Sequence, residues 1–348
     1  MRELAQLSGV SVATVSRVLN DYDDVSAATR KRVLKLAEEL EYTPTAAART
    51  LVTKRSHVVG VVLSTGVDHP DIQHPFFQEV LVGLKRRLGA GGYDLLLLAT
   101  EEAGNAFGAH SYLQRCRHHR VDGVVLMGAD ASEPDVQKLA RSAIPCVAVD
   151  LDLVGRLTGF VISDNVRGAD LAIEHLHKLG HERIATITGP PHMRVGMDRL
   201  MGYRQALERL GLSYRDEYVH DGDFYFDSGS AAMQELLSLP EPPTAVFAAS
   251  DLMAAGAIRA IEQAGLSVPA DIAVVGFDDI QLAAMMQPAL TTIRQDKLGL
   301  GSAAAAALLR MIELDGAPPP GITLPVELIV RESSGATPRR ARRQAATQ

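Results

Sequence analysis

The first forty residues place apolar side chains at helical spacing. Leu4, Ala5 and Leu7 punctuate RELAQLS. Val12, Val15, Val18 and Leu19 recur through VATVSRVLN, and Val33, Leu36, Ala37 and Leu40 through AATRKRVLKLAEELEY. A recurrence of three to four predicts amphipathic helices with those residues facing inward. Gly9 breaks the first helix, DYDD separates the second from the third, and Pro44 closes the set. Ser11 and Ser26 stand at N-cap positions. From His57 the pattern changes to continuous apolar runs: VVGVVLS, YDLLLLAT, VDGVVLMG, IPCVAVD, FVISDN, RIATITGP, YVHDGDF, TAVFAAS and IAVVGFDD. Such runs suit strands buried on both faces. Helical patterns such as FFQEVLVGLKRRLGAGG and MAAGAIRAIEQAG lie between them. This alternation predicts parallel sheets covered by helices. About ten strands are many for one sheet, so two α/β lobes with a cleft between them are expected.

Length agrees, since 348 residues exceed one ordinary domain. Hydrophobic content of 47% supplies large cores. Cys116 and Cys146 are too few for a disulfide framework and fit a reducing compartment. Cys116 with His118 and His119 is read as a solvated helix end rather than a metal site, and no cofactor is implied. No apolar run reaches the ~18 residues of a membrane span. MRELAQLSGV lacks an apolar signal core. A soluble, cytoplasmic protein without a membrane partner is therefore expected.

The net charge of −7 argues against nucleic acid, but its distribution argues the other way. Residues 1–57 carry nine Lys and Arg against seven Asp and Glu, a net of +2 that leaves −9 for the rest. A basic head on an acidic body is a footprint of a DNA-binding module, though a weak one.

AQLSGVSVATVSRVLN, Ala5 to Asn20, is more specific. A helix, a Gly-containing turn and a Ser-capped second helix make a helix-turn-helix. Such a motif presents the start of its second helix to base edges in the major groove. The outward positions are Val12, Ala13, Ser16, Arg17 and Asn20. Arg17 can donate two hydrogen bonds to guanine, and Val12 and Ala13 offer apolar surface to a thymine methyl. Ser11, Thr14, Ser16 and Asn20 suit phosphate oxygens. Ser26 and Thr29, at the start of the third helix, are counted with these DNA-facing groups. A plain three-helix scaffold with solvated Ser and Thr is the competing reading.

GVSVATVSRVLN, VSAATRKRV, ELEYTP and AARTL resemble the lactose/galactose repressor (LacI/GalR) family almost residue for residue. The likeness continues through HPFF, VDGVVL, HLHKLGHERIATITGP, RLMGYRQAL, AASDLMAAGAIRAI, VPADIAVVGFDDI and LTTIRQD. It covers the chain except the tail. The resemblance implies an N-terminal all-α helix-turn-helix domain (1–43) and a hinge helix with linker (44–56). It implies a two-lobed, periplasmic-binding-protein-like α/β core of two Rossmann-like parallel-sheet lobes (57–336), which binds an effector and dimerises. A basic, disordered tail (337–348) follows. It identifies PTAAARTL, Pro44 to Leu51, as the hinge. A helix that short is marginal in water, and in the family it forms on operator DNA. Thr45 would start it, Ala48 would lie within it, and Leu51 would wedge between central base pairs in the minor groove.

The resemblance also implies effector-binding positions: Phe76, Phe77, Asp150, Arg199, Phe224, Asp251 and Asp278. Carboxylates and Arg bond hydroxyls, and aromatic rings cover a sugar's apolar face. Three departures stand out. Thr45 replaces the family's usual Asn, and Ser250 replaces an Asn before Asp251, which is expected to change or enlarge the ligand. The Thr that caps the family's first helix would fall before Met1. No P-loop or G-x-S-x-G elbow is present, and GAGG at Gly89–Gly92 precedes a strand, the wrong order for a dinucleotide fingerprint.

The expected function is thus a homodimeric, non-enzymatic repressor of a pseudo-palindromic double-stranded operator, released by a small carbohydrate effector. A corepressor, whose ligand tightens DNA binding, stays open. A sugar-binding or sugar-active protein that does not act on DNA is the rival from another class.

Overall fold

The computed structural model describes residues 2–19, 22–40, 55–63, 73–99, 111–314 and 321–335. The chain divides into two compact units, Met1–Val58 with Arg120–Asp122, and Val59–His119 with Gly123–Gln348.

In the first unit, helices α1 (Arg2–Ser8), α2 (Val12–Leu19) and α3 (Ala27–Glu39) enclose a core of Leu4, Ala5, Val15, Val18, Val33 and Ala37. The inward stripes are narrower than their spacing predicts. Leu7 is 55% exposed, Val12 42% and Leu40 42%. These residues lie at or near helix ends, beyond the reach of the neighbouring helices in so small a bundle. Both caps form: Ser11 Oγ accepts from Thr14 N–H at 3.0 Å, and Ser26 Oγ from Thr29 N–H at 3.3 Å. Further along this unit, the Asp122 carboxylate accepts from Ser56 N–H (2.8 Å), Ser56 Oγ (3.0 Å) and His57 N–H (2.8 Å). Three hydrogen bonds to one carboxylate fix the backbone where the chain turns into its first strand. The expected hinge, including Thr45, Ala48 and Leu51, lies outside the described residues, as do Asn20 and the tail.

The second unit has two lobes, each built on a six-stranded sheet among the described residues. The first lobe holds β1 (Val58–Leu63), β2 (Asp94–Leu98), β3 (Gly123–Met127), β4 (Cys146–Val149), β5 (Thr158–Ser163) and β11 (Ile322–Leu324), in the order β11-β5-β4-β3-β1-β2. The second holds β6 (Ile184–Thr188), β7 (Val219–Asp221), β8 (Ala245–Ala248), β9 (Ala273–Asp278), β10 (Thr291–Gln295) and β12 (Val326–Ile329), in the order β12-β10-β9-β8-β6-β7. The pairings β1–β3, β3–β4, β4–β5 and β5–β11 are parallel, as are β6–β7, β6–β8, β8–β9 and β9–β10, while β10–β12 is antiparallel.

Burial on both faces explains the unbroken apolar runs. Along β8, Val246 and Ala248 pack on one side against Met233 and Leu236, while Phe247 packs on the other against Tyr203 and Ile173. In the first lobe, α4 (Pro75–Ala90) and α12 (Lys297–Leu314) cover β1, β3 and β4. These two helices meet backbone to backbone. A Cβ on Gly301 would lie 2.0 Å from Val80 O, and one on Gly83 would lie 2.2 Å from Leu298 O.

The chain crosses between lobes three times among the described residues: at Asp164 after β5, at Asp296 after β10, and at Pro325 between β11 and β12. Asp164 N–H donates to Leu324 O at 2.9 Å, tying two crossings together. Cys116 and Cys146 are buried and unpaired, and burial pushes the Cys116 thiol up to about 11. His118 and His119 are exposed at their helix end, and no cluster of metal-ligating groups occurs among the described residues. No described helix is long and apolar enough to cross a membrane.

Gly301→Val should force α4 and α12 apart and destabilise the core by about 1–3 kcal/mol from overpacking. A lower denaturant midpoint for the variant would bear this out, and an unchanged midpoint would contradict it.

Candidate nucleic-acid interface and ligand cleft

In the helix-turn-helix, α2 turns Val15 and Val18 inward and leaves Ser11, Val12, Ala13 and Arg17 exposed, with Thr14 and Ser16 half-buried. This is the set of positions expected to read DNA, Asn20 excepted because it is not described. Ser11 Oγ and Thr14 Oγ1 lie 2.9 Å apart. Ser26 donates to Thr29 Oγ1 at 2.9 Å, so two hydroxyl pairs mark the starts of α2 and α3. Arg17 pairs with Asp24 at 3.1 Å, both side chains more than half exposed. Exposed pairs of this kind are worth roughly 0–1 kcal/mol, so this one yields readily to a better acceptor.

The second unit encloses a cavity of about 340 Å³ between its lobes. Gly128, Asp150, Pro190 and Asp278 of its walls stand at or just after strand C-terminal ends, where open α/β sheets bind ligands. Phe76, Phe77, Asp150, Arg199, Phe224 and Asp278 all line it. Phe76 and Phe77 start α4, whose N-cap is His74, with the imidazole Nδ1 accepting from Phe76 N–H at 3.3 Å. The His74 ring stands edge-on to Tyr225 of the other lobe, centroids 5.3 Å apart.

Arg199 reaches the cavity from α8 (Arg194–Leu210) and is 4% exposed. Its Nε donates to Asn165 Oδ1 at 2.8 Å and its Nη1 to Ala249 O at 2.5 Å. The guanidinium carbon sits 3.8 Å from the centre of the Phe277 ring, and Asp278 Oδ1 lies 3.8 Å from Nη1. Burial lowers its hold on the proton, and the charges of Asp278, Asp150 and Asp251 raise it again. Asp150 behaves in the opposite sense. Burial pushes its pKa up to about 6, the Arg199 charge pulls it down, and the Asp278 charge adds to the rise. Its Oδ1 is buried with no hydrogen-bond partner among the described residues.

The walls are held in costly backbone. Asp150 (φ 59°), Phe224 (φ 74°), Asp278 (φ 115°) and Asp279 (φ 52°) all have positive φ without being glycine. Such residues persist where surrounding structure over-determines them, and they cluster at ligand sites. Ser250 Oγ donates to Phe224 O at 2.9 Å while accepting from Met253 N–H at 3.1 Å. Gly189 makes room for the Phe224 ring, because a Cβ there would meet Phe224 Cζ at 2.0 Å. Gln295 Nε2 holds Asp278 Oδ1 at 2.7 Å, and Lys297 Nζ holds the carbonyls of Asp278 (2.7 Å) and Asp279 (2.9 Å). Burial raises the Asp279 pKa, but hydrogen bonds from Arg294 and Arg331 outweigh it and leave it low.

Asp251 corrects the expectation. It is fully buried and does not line the cavity. Its carboxylate accepts from Thr292 Oγ1 at 2.5 Å and Ile280 N–H at 2.8 Å, behind the wall that Asp278 presents. Burial, and then the charge of Asp278, raise its pKa well above the ordinary value. Ser250, expected to alter a ligand contact, instead braces the Phe224 turn. Conversely, His74, Asp130, Glu133, His192, Met193, Asp223 and Tyr225 line the cavity without having been singled out. They share one legible signal, a position in the segment following a strand's C-terminal end.

The folded core holds the Asp150 proton to about pH 6, whereas an unfolded Asp releases it near 4. The native state therefore binds more protons in that window, and stability falls as pH rises through it. Asp150→Asn should raise the melting temperature of the unliganded protein at pH 8. The gain should shrink toward pH 4. Melting curves at both pH values check this, and a gain independent of pH would contradict it.

Comparisons with known proteins bear on the whole chain. Residues 1–45 match the model for "Bacterial regulatory proteins, lacI family", and residues 173–334 match a "Periplasmic binding protein-like domain". The chain is 39% identical over 313 residues to the ribose operon repressor of Escherichia coli (strain K12), covering 90% of this chain and 92% of that one. Among solved structures, a transcriptional regulator CelR–cellobiose complex is 35% identical, with a TM-score of 0.71 over 95% of this chain and 98% of the other. A lac repressor dimer bound to operator and the anti-inducer ONPF is 30% identical, with a TM-score of 0.78 over 95% and 97%. These relatives are regulators of transcription and not enzymes. With a helix-turn-helix at one end, two parallel-sheet lobes at the other and this similarity along its length, the chain belongs to the lacI family of bacterial regulatory proteins.

Proposed function

We propose that this regulator represses transcription as a homodimer on a pseudo-palindromic operator and is released when a carbohydrate fills the cleft, acting in the bacterial cytoplasm. The observation that carries the reading is the cavity between the lobes, in one chain with an exposed helix-turn-helix face. Its chemistry fits a polyol. The Asp150 and Asp278 carboxylates and the Arg199 guanidinium offer charge-assisted hydrogen bonds, and Phe76, Phe77 and Phe224 offer apolar cover. Asp251 supports the site from behind.

On DNA, Val12, Ala13 and Arg17 are assigned to base edges. Ser11, Thr14, Ser16, Asn20, Ser26 and Thr29 are assigned to phosphates. Thr45, Ala48 and Leu51 keep the hinge role that the family resemblance implies, with Leu51 as the minor-groove wedge. Release by a ligand requires different affinities for the two lobe arrangements. Among the described residues three crossings join the lobes, so a ligand gripping both can change their relation.

The test is selection of bound genomic fragments by the full chain, followed by gel shifts with candidate sugars. A pseudo-palindromic duplex released by a sugar is expected. Duplex bound without sequence preference, or bound identically with every small molecule, would overturn the reading. Arg17→Ala should cost about 1–3 kcal/mol of binding, concentrated at one base pair of each half-site. Equal loss on every sequence would assign Arg17 to a phosphate instead.

A further inference from the structure

A second chamber of about 200 Å³ adjoins the main cavity. The two share Asp130, Asp150 and Met193 among their walls, so they lie side by side. The side chamber has its own chemistry. Arg194 Nη1 donates to Asp152 Oδ2 at 2.7 Å, an ion pair joining the second lobe to the first across the chamber wall. Arg194 Nε is shared by the two Asp198 oxygens, at 2.9 and 3.2 Å. A guanidinium carries five N–H donors, so three remain without a protein acceptor among the described residues. Met193 and Met197 supply an adaptable apolar surface.

We propose that this chamber is a second sugar subsite, so that the effector is a disaccharide or longer glycoside rather than a single ring. The inference rests on the reading of the cleft as a carbohydrate site. One ring occupies the main chamber against Phe224, Arg199 and Asp278. The next ring lies over Met193 and Met197, with hydroxyls toward Arg194 and Asp152. Asp150 stands at the junction. Its buried, unpartnered Oδ1 calls for a donor, and a hydroxyl next to the glycosidic link supplies one. The main chamber alone already lies within the ~300–1,000 Å³ range of small-molecule pockets. A ligand confined to it would leave the charged side chamber to water. A base placed in the side chamber would find no Phe, Tyr or Trp there to stack on.

The experiment is calorimetric titration of the full-length protein with glucose, galactose and ribose, then cellobiose, maltose and lactose, then adenosine and cytidine. At least one disaccharide should bind about tenfold more tightly than its constituent sugars. Met197→Trp, from the half-exposed side of the chamber, should reduce that advantage to about twofold or less and leave monosaccharide binding unchanged. Ala131→Leu fills the chamber from the opposite lobe and should act alike. A monosaccharide that binds as tightly as every disaccharide containing it would overturn the subsite while sparing the sugar reading. So would a disaccharide advantage that survives both variants. A nucleoside as the tightest ligand, or no binding of any sugar, would overturn the sugar reading and the subsite with it.

Discussion

The cleft is organised around one buried cation. Arg199 is removed from water, which is costly for a charge unless it is paired and hydrogen-bonded. Asn165, the Ala249 carbonyl, the Phe277 ring and Asp278 together meet that requirement. The positive-φ turns at Asp150, Phe224 and Asp278 bring backbone and carboxylates within reach of its field. Removing Arg199 would take away a buried positive charge that Asp150, Asp251 and Asp278 all feel. The proton affinities of Asp150 and Asp251 are raised first by burial and then by the nearby Asp278 charge. A polyol is a natural guest there, since hydroxyls can donate to the carboxylates and accept from the guanidinium.

The same arrangement gives a route from cleft to chain path. Asp150 belongs to the first lobe and Arg199 to the second, so a ligand touching both acts across the three crossings. Asp164 and Asp296 each fix the start of the helix after their crossing, by accepting from Arg167 N–H at 3.1 Å and Gly299 N–H at 2.8 Å. Both crossings thus lead directly into a capped helix. Two side-chain contacts, the Arg194–Asp152 pair and the His74–Tyr225 ring contact, already link the two sides.

Much of this was legible in the sequence, for identifiable reasons. Strands buried on both faces must be continuous apolar runs, and β1, β3, β8 and β9 read as such. The strand β10 and the short strands β11 and β12 did not. β11 and β12 have three and four residues, half-exposed in part and divided by Pro325, so neither run length nor alternation marks them. The positions of Asp150, Phe224 and Asp278 follow from strand ends, and those of Phe76, Phe77 and Arg199 from the family likeness. Asp251 shared that signal yet turns away, because its partner is Thr292, 41 residues later. No local pattern tells which side of a wall a carboxylate faces. Val12 carried two readings, an inner-stripe spacing and an outward place at the helix start, and it is exposed. The likeness itself located the hinge, which physics alone reads as an ordinary linker.

The central claim is that DNA affinity and cleft occupancy are linked through one chain. Linkage is reciprocal, so the factor by which a ligand weakens operator binding must equal the factor by which operator weakens ligand binding. The direct measurement is ligand affinity by calorimetry on the free protein and on the saturated operator complex, set beside operator affinity with and without ligand. The account predicts that both ratios exceed one and agree. Ligand affinity unchanged by operator would contradict it.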